Sequence, residues 1–146
     1  MNNNFEIIQS QKNEVDINKL TKLIEYIYDK ENVSSKQKLN IILTDNSRLH
    51  ELNKKYKNID RATDVLSFSF DEDKLEIEPI LGEVYISLDK ANMQAEKFDV
   101  DLQEEVCRLV VHGILHILGW SHQDSAQAHK MFTKTESYLN YIRNEK

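Results

Sequence analysis

The chain is poor in the residues that mark disulfide-bonded or linker-rich proteins. It contains one cysteine, one proline, three glycines and one tryptophan in 146 residues. A lone cysteine, Cys107, excludes an internal disulfide, and we expect it to be a small buried hydrophobic residue without chemistry of its own. Because no repeat, low-complexity tract or proline-rich stretch marks a linker, residues 1–146 are expected to form a single domain.

The sequence also lacks a long apolar run. Its start, MNNNFEIIQS, has neither the basic nor the apolar segment of a secretory signal, and arginine and histidine interrupt the most apolar stretch well short of a membrane span. We therefore expect a cytoplasmic protein with no membrane partner. A composition that is 40% hydrophobic and 30% charged is typical of one globular domain with a single core.

Basic residues are in the minority, and the net charge of −6 argues against a surface that attracts nucleic acid indiscriminately. The sign of the net charge is reversed in one segment. Between Arg48 and Arg61, five basic residues face two acidic ones, which gives a net charge of +3. This stretch can meet phosphate or can be the solvated end of a helix, and charge alone does not decide between the two.

Hydrophobic periodicity predicts four strands and five helices. The predicted strands are 5–8, 39–43, 65–70 and 81–88. The first predicted helix begins after a cap at Asp16, and the second runs from caps at 44–46 through Tyr56. Three further helices are predicted at 88–98, 102–118 and 124–142. The acidic stretch 71–78 is predicted to be a solvated hairpin connection. This order predicts an α+β fold, in which a single-layer mixed β-sheet of about four strands carries helices mainly on one face.

The segment HGILHILGWSH, residues 112–122, carries the most informative chemistry. In a helix His112 and His116 project from one face, because four residues advance about 6 Å and leave the side chains roughly 40° apart. Gly119 can end the helix and turn the chain back, so that His122 reaches the same ion. Three histidine nitrogens leave a fourth position for water, as in catalytic zinc sites. The spacing predicts one Zn²⁺ per chain.

The helix that carries His112 and His116 is apolar nearly all round, so we expect the metal site to lie on a central buried helix. A site of low dielectric keeps histidine neutral, with a lone pair free for the metal. Gly113 indicates either a close approach of backbone or substrate, or tight helix packing, and the sequence does not choose between them. His50 and His129 are expected at the surface and are not predicted to be ligands.

The residue beside the first histidine narrows the reaction class. Zinc peptidases of the HExxH type carry a glutamate there as the general base, whereas this chain has Gly113. Cleavage of a phosphodiester depends mainly on the metal and on positive charge near the phosphoryl oxygens, so the sequence favours phosphate chemistry. A zinc peptidase with its base elsewhere and a non-enzymatic ribosome-associated factor with a structural metal are the alternatives.

HGILHILGWSH, together with LNKKYKNIDRATDVLSFSF at 52–70 and LGEVYIS at 81–87, resembles the YbeY family of bacterial rRNA-maturation endoribonucleases. The resemblance runs from about residue 39 to 138 and places the family's metal ligands on His112, His116 and His122. It implies a zinc-dependent, single-strand-specific endoribonuclease. The implied roles are maturation of the 3′ end of small-subunit rRNA and ribosome quality control, with the ribosome or ribosomal proteins as further partners and no DNA substrate.

The chain departs from the family pattern at four positions. Lys57 stands in place of an arginine that the resemblance implicates in catalysis or RNA binding, and it offers a point charge instead of a bidentate fork. We expect Lys57 to neutralise the phosphate, while Arg61 either assists or forms a loop salt bridge. Ser121 replaces an aspartate and so lacks a carboxylate that could orient a ligand or accept a proton, whereas Ala62 and Ser69 replace prolines and are expected to leave the fold unchanged. No general base is identifiable from the sequence.

Overall fold

The computed structural model describes residues 5–10, 12–69 and 80–144, which contain four strands, five α-helices and one π-helical turn. The strands are β1 (Phe5–Gln9), β2 (Lys38–Thr44), β3 (Val65–Ser69) and β4 (Ile80–Ser87). The helices are α1 (Ile17–Lys30), α2 (Asn46–Leu52), α3 (Leu88–Phe98), α4 (Leu102–Ile117) and α5 (Ser125–Arg143). Phe70 and the predicted acidic connection 71–78 lie outside the described residues.

The strands form one sheet in the order β1-β2-β4-β3. β1 pairs with β2 and β2 with β4 in parallel, whereas β3 runs antiparallel to β4 at the edge of the sheet. The predicted α+β class with a mixed, four-stranded sheet is confirmed. The antiparallel register places Ser67 opposite Val84, and this pair lies directly beneath α4.

Each helix begins at a polar side chain that accepts a hydrogen bond from a backbone N–H in the first turn, which satisfies one of the donors that a helix start leaves free. The capping residues are Asp16, Asp45, Ser87, Asp101 and Asp124. Two of these caps, Asp16 and Asp45, lie where the sequence analysis placed helix starts. The helix boundaries follow from this local chemistry.

The main core fills the space between one sheet face and the helices α1, α4 and α5. α4 is central to it, since Val106, Val110 and Ile114 are fully buried. A second, smaller cluster lies on the other face, where Leu49 and Leu52 of α2 pack against Leu66 of β3. The helices therefore lie mainly, but not all, on one face.

The second helix differs from its predicted course. An α-helix through Tyr56 was expected, but α2 ends at Leu52 and the chain continues as a π-helical turn, Asn53–Lys57. The turn closes because the carbonyl of Asn53 accepts hydrogen bonds from the backbone N–H groups of Asn58 and Ile59. The hydrophobic periodicity of a sequence does not distinguish a single π-helical turn from an α-helix. Such turns are frequent at functional sites.

In the ranges 5–10, 12–69 and 80–144, no helix is both long enough and apolar enough to cross a membrane.

Candidate metal centre

Three histidine side chains meet at the C-terminal part of α4. His112 and His116 lie one turn apart, with their Nε2 atoms separated by 3.1 Å. The ring of His122, from the connection between α4 and α5, lies with its centroid 5.1 Å from that of His112 and 5.4 Å from that of His116. One ligand atom from each ring lies within 4.8 Å of the others. The structure thus brings together the three residues that the spacing selected, and their role as ligands stays a prediction.

Gly119 makes the convergence possible. It adopts a φ of 103°, in the left-handed region, directly after the end of α4. Its N–H donates to the carbonyl of His116, and the N–H of Trp120 donates to that of Leu115, each at 3.0 Å. No atom lies within 4 Å of the position that a Cβ would take, so the requirement for glycine is conformational. The predicted turn at Gly119 is confirmed.

A buried carboxylate holds the connection that carries His122. Glu31, at the end of α1, accepts hydrogen bonds from the indole N–H of Trp120 at 3.3 Å, from Nζ of Lys134 at 2.7 Å and from the hydroxyl of Tyr138. Burial alone would raise the pKa of Glu31, but the hydrogen bonds and the charge of Lys134 outweigh it and lower the pKa. The sequence analysis missed Glu31, because its partners lie about a hundred residues further along the chain.

His112 and His116 are held in their neutral form. Burial, with the neighbouring imidazoles of His116 and His122, lowers the pKa of His112 to about 4, and the carboxylate of Asp64 opposes this shift. Burial and His122 also lower the pKa of His116. At neutral pH these rings therefore keep lone pairs available for a metal ion, as the apolar character of α4 predicted.

Gly113 lies where α4 touches the sheet. A Cβ at this position would come within 2.5 Å of Cγ1 of Val84 and 3.1 Å of Oγ of Ser67. The hydroxyl of Ser67 also donates to the carbonyl of Gly113, at 3.1 Å. Of the two explanations left open by the sequence, the structure supports tight helix packing, and it leaves no space for a larger side chain here.

His112 and His116 face a cleft of about 400 Å³ between α4, the edge strand β3 and the π-helical turn. Lys57, the last residue of that turn, lines the same cleft as His112 and His116. Its side chain is exposed, and its Nζ lies 5.3 Å from the ring centroid of Phe68. The structure therefore places a flexible cation beside the histidines.

The remaining residues singled out from the sequence lie outside this centre. Arg61 is exposed and forms no ion pair with any described residue, so the expected loop salt bridge is not seen in that part of the chain. His129 is exposed, and His50 pairs with Asp60 at 2.6 Å. The hydroxyl of Ser121 donates to Oε1 of Gln127, which helps to fix the connection before His122.

Sequence reasoning missed a carboxylate in the cleft. Asp64, just before β3, lines the cleft with Lys57, His112 and His116. Its Oδ1 accepts from the N–H of Val65 at 2.8 Å, and its Oδ2 accepts from Nε2 of Gln94 at 3.1 Å. The acid in the segment RATDVLSFSF, directly before the predicted strand 65–70 and within the stretch that resembles the family, was the signal that could have found it.

Fold and site together define a small α+β protein with a candidate metal centre, in which two histidines of a buried helix and one from the following connection come together beside a mixed sheet. The chain belongs to the endoribonuclease YbeY family, whose model matches residues 5–143. The resemblance carried by the three quoted sequence segments is thereby confirmed.

Several bacterial proteins named endoribonuclease YbeY are similar to this chain. That of Aquifex aeolicus is 44% identical over 101 residues, which cover 69% of this chain and 67% of the relative. That of Acholeplasma laidlawii is 39% identical over 108 residues, covering 74% and 77%. The solution structure of a Thermotoga maritima protein matches with a TM-score of 0.65 and 27% identity, covering 94% of this chain and 88% of that one.

Proposed function

We propose that this protein is a zinc-dependent endoribonuclease that hydrolyses phosphodiester bonds in single-stranded RNA, with residues 1–146 acting as one catalytic domain. The observation that carries the proposal is the convergence of three histidine ligand atoms, within 4.8 Å of one another, beside a cleft that is lined by His112, His116 and Lys57. Membership of the endoribonuclease YbeY family supports the same reaction class.

The donor set fits a zinc ion. His112, His116 and His122 would hold it through neutral imidazole nitrogens, and a set of three nitrogen ligands with an open position suits catalytic Zn²⁺. When bound, the ion supplies a Lewis acid that polarises the phosphodiester and lowers the pKa of water. The depressed pKa values of His112 and His116 favour binding at neutral pH, because protons then compete little with the metal.

Lys57 would bind the scissile phosphate. Its ammonium group stands at the cleft on an exposed side chain and can follow a phosphoryl oxygen as negative charge grows on it. A lysine neutralises charge without the two-point geometry of a guanidinium, so it orients the phosphate less strictly. Its role is therefore mainly electrostatic.

In the cell, we assign the activity to 3′-end maturation of small-subunit rRNA and to ribosome quality control, in the cytoplasm and with ribosomal proteins as further partners. The endoribonuclease family supports an RNA substrate. A peptidase is not favoured, because Gly113 occupies the position of the HExxH glutamate and packs against Val84 with no room for a side chain. A purely structural metal is not favoured either, since the similar proteins are named as endoribonucleases.

The test combines metal content with cleavage of a fluorescent single-stranded RNA, with and without chelator. We expect wild type to bind one zinc per chain and to cleave, and His116→Ala to lose both properties. Lys57→Ala should keep its zinc and lose roughly ten- to a hundredfold in kcat/KM, as expected for a hydrogen bond to a charged group. Lys57→Arg should cleave as well as wild type or better.

His129→Ala is the matched control, because it removes an exposed histidine outside the centre and should retain zinc and cleavage. Wild type that binds no metal, or that cleaves RNA equally well after metal removal, would contradict the proposal. Cleavage of casein with intact RNA would instead support the peptidase.

A further inference from the structure

A second concave surface lies beside the metal cleft, where β3 and β4 meet α2 and the π-helical turn. We call it the aromatic groove. It has a volume of about 310 Å³ and is lined by Arg48, Leu52, Tyr56, Phe68, Ser69, Glu83 and Tyr85. Its three rings contact one another edge to face, with centroids 5.5 Å apart for Tyr56 and Phe68 and 5.9 Å apart for Phe68 and Tyr85.

The outermost ring of the groove is open to solvent. Tyr56 is 58% exposed, whereas Phe68, against which it packs, and Tyr85 are partly buried. Exposed aromatic rings beside cationic groups are typical of sites that bind single-stranded nucleic acid, since every base can stack on a ring. Lys55, with its Nζ 5.1 Å from the ring centroid of Tyr56, adds positive charge at the rim.

The aromatic groove is continuous with the metal cleft. Ser69 lines both. Lys57 also connects them, because it lines the cleft while its Nζ lies over the ring of Phe68 in the groove. If a phosphate of a single-stranded RNA contacts Lys57, a neighbouring nucleotide of that RNA therefore lies at the aromatic groove.

The charges of the groove favour a base over a phosphate. The guanidinium of Arg48 is already paired with the carboxylate of Glu51. The carboxylate of Glu83 stands in the groove, where its Oε1 accepts from the hydroxyl of Tyr85 at 2.9 Å. A carboxylate repels phosphate but accepts hydrogen bonds from the N–H groups on the edge of a base.

We propose that the aromatic groove is a nucleobase subsite, in which a base of single-stranded RNA stacks on Tyr56 while the adjoining phosphate lies at Lys57. The proposal rests on the proposed RNA-cleaving function and adds to it the place where a base is bound. A stacking site of this kind requires an unpaired base, since a base within a duplex has both faces covered by its neighbours.

The experiment pairs a change in the protein with a change in the RNA. Binding of a short fluorescent single-stranded RNA is measured by anisotropy with chelator present to stop turnover, using the intact oligonucleotide and a series with one abasic nucleotide at each position. For wild type, one abasic position should raise Kd about tenfold, in line with the loss of one stacked base. Tyr56→Ala should raise the Kd of intact RNA by a similar factor and should show no further loss at that position, whereas Tyr56→Phe should bind as wild type.

Phe98→Ala is the matched control, because Phe98 is 54% exposed and lies near a lysine, Lys97, but stands outside the groove at the end of α3. The subsite is overturned if Tyr56→Ala and Phe98→Ala change Kd equally, or if the abasic effect persists in Tyr56→Ala. Cleavage of the same RNA by the zinc-loaded protein is scored separately. Its absence in wild type overturns the proposed function, while the comparison of Kd values still decides on the subsite.

Discussion

The indole N–H of Trp120 donates a hydrogen bond to the carboxylate of Glu31, with 3.3 Å between Nε1 and Oε1. Trp120 precedes His122 by two residues, and Glu31 stands 89 residues earlier at the end of α1. Lys134 of α5 pairs with the same carboxylate and lies 4.8 Å from the Trp120 ring centroid. The connection that carries the third histidine is thus fixed from two helices.

This relationship predicts that Trp120→Phe weakens metal binding without unfolding the protein. Phenylalanine keeps most of the aromatic packing but removes the donor, while Lys134 and Tyr138 still satisfy Glu31. Groups that orient a ligand typically contribute ten- to a hundredfold in metal affinity, and we expect about tenfold here. The measurement is the Kd for zinc by competition with a chromophoric chelator, alongside circular dichroism.

Glu104→Gln provides the control for that experiment. It breaks an ion pair between α4 and Arg143 of α5 but does not touch the connection before His122. It should leave the zinc Kd unchanged. Equal zinc affinity in wild type and Trp120→Phe would show that the hydrogen bond to Glu31 does not position His122.

The sequence was sufficient for the parts of the site that depend on neighbours along the chain. The helical spacing of His112 and His116, the turn at Gly119 and the caps at Asp16 and Asp45 follow from rules that act over a few residues. The same holds for burial of α4, because its apolar character is visible in its own residues. These features were predicted and confirmed.

The parts that the sequence did not reveal depend on pairs far apart along the chain. Glu31 and Trp120 meet only after α1, α4 and α5 have packed, and Asp64 reaches the cleft only because β3 lies at the edge beside α4. The requirement for glycine at position 113 likewise comes from Val84, which lies on a different element. Local propensity carries no information about such partners.

The contact between Gly113 and Val84 predicts that Gly113→Ala destabilises the fold. Alanine gains about 1 kcal/mol in helix propensity over glycine, but a methyl group 2.5 Å from a buried, stiff valine forces α4 away from the sheet. Overpacking of this kind costs about 1–3 kcal/mol, so after the gain in helix propensity is subtracted we expect a net loss of up to about 2 kcal/mol in the free energy of unfolding, measured with urea.

A double-mutant cycle with Val84→Ala tests the cause. The smaller residue opens space for the new methyl group, so Gly113→Ala should cost less in the Val84→Ala background than in wild type. Strictly additive losses would mean that the two side chains do not compete for this space.

Burial of the only cysteine predicts an unreactive thiol. Cys107 is 1% exposed, and burial raises the pKa of its thiol from 9.0 to about 12. A raised pKa favours the thiol over the nucleophilic thiolate, so at pH 8 only about one molecule in ten thousand carries the reactive form. Ellman's reagent should label the folded protein at least a hundredfold more slowly than protein unfolded in guanidinium. Comparable rates would place the thiol at the surface.

The depressed pKa of His112 predicts how the metal-free protein responds to acid. The folded value of about 4 lies below the ordinary value of 6.5, so between these pH values the unfolded chain binds more protons than the folded one. Stability is therefore full above pH 6.5 and falls as the pH is lowered toward 4. His112 can change the free energy of unfolding by at most about 1.4 kcal/mol per pH unit. The actual change is smaller, because water screens the part-exposed ring.

His112→Gln isolates this effect, because glutamine keeps a polar side chain that does not titrate. The free energy of unfolding of both metal-free proteins is measured with urea at pH 7, 6 and 5, where carboxylates contribute equally to both. The variant should lose less stability than wild type on acidification, although it keeps the part of the slope due to His116, whose pKa is lowered in the same direction. Parallel curves for the two proteins would mean that His112 is freely protonated in the folded state, and the ring would then not be held ready for a metal ion at mildly acidic pH.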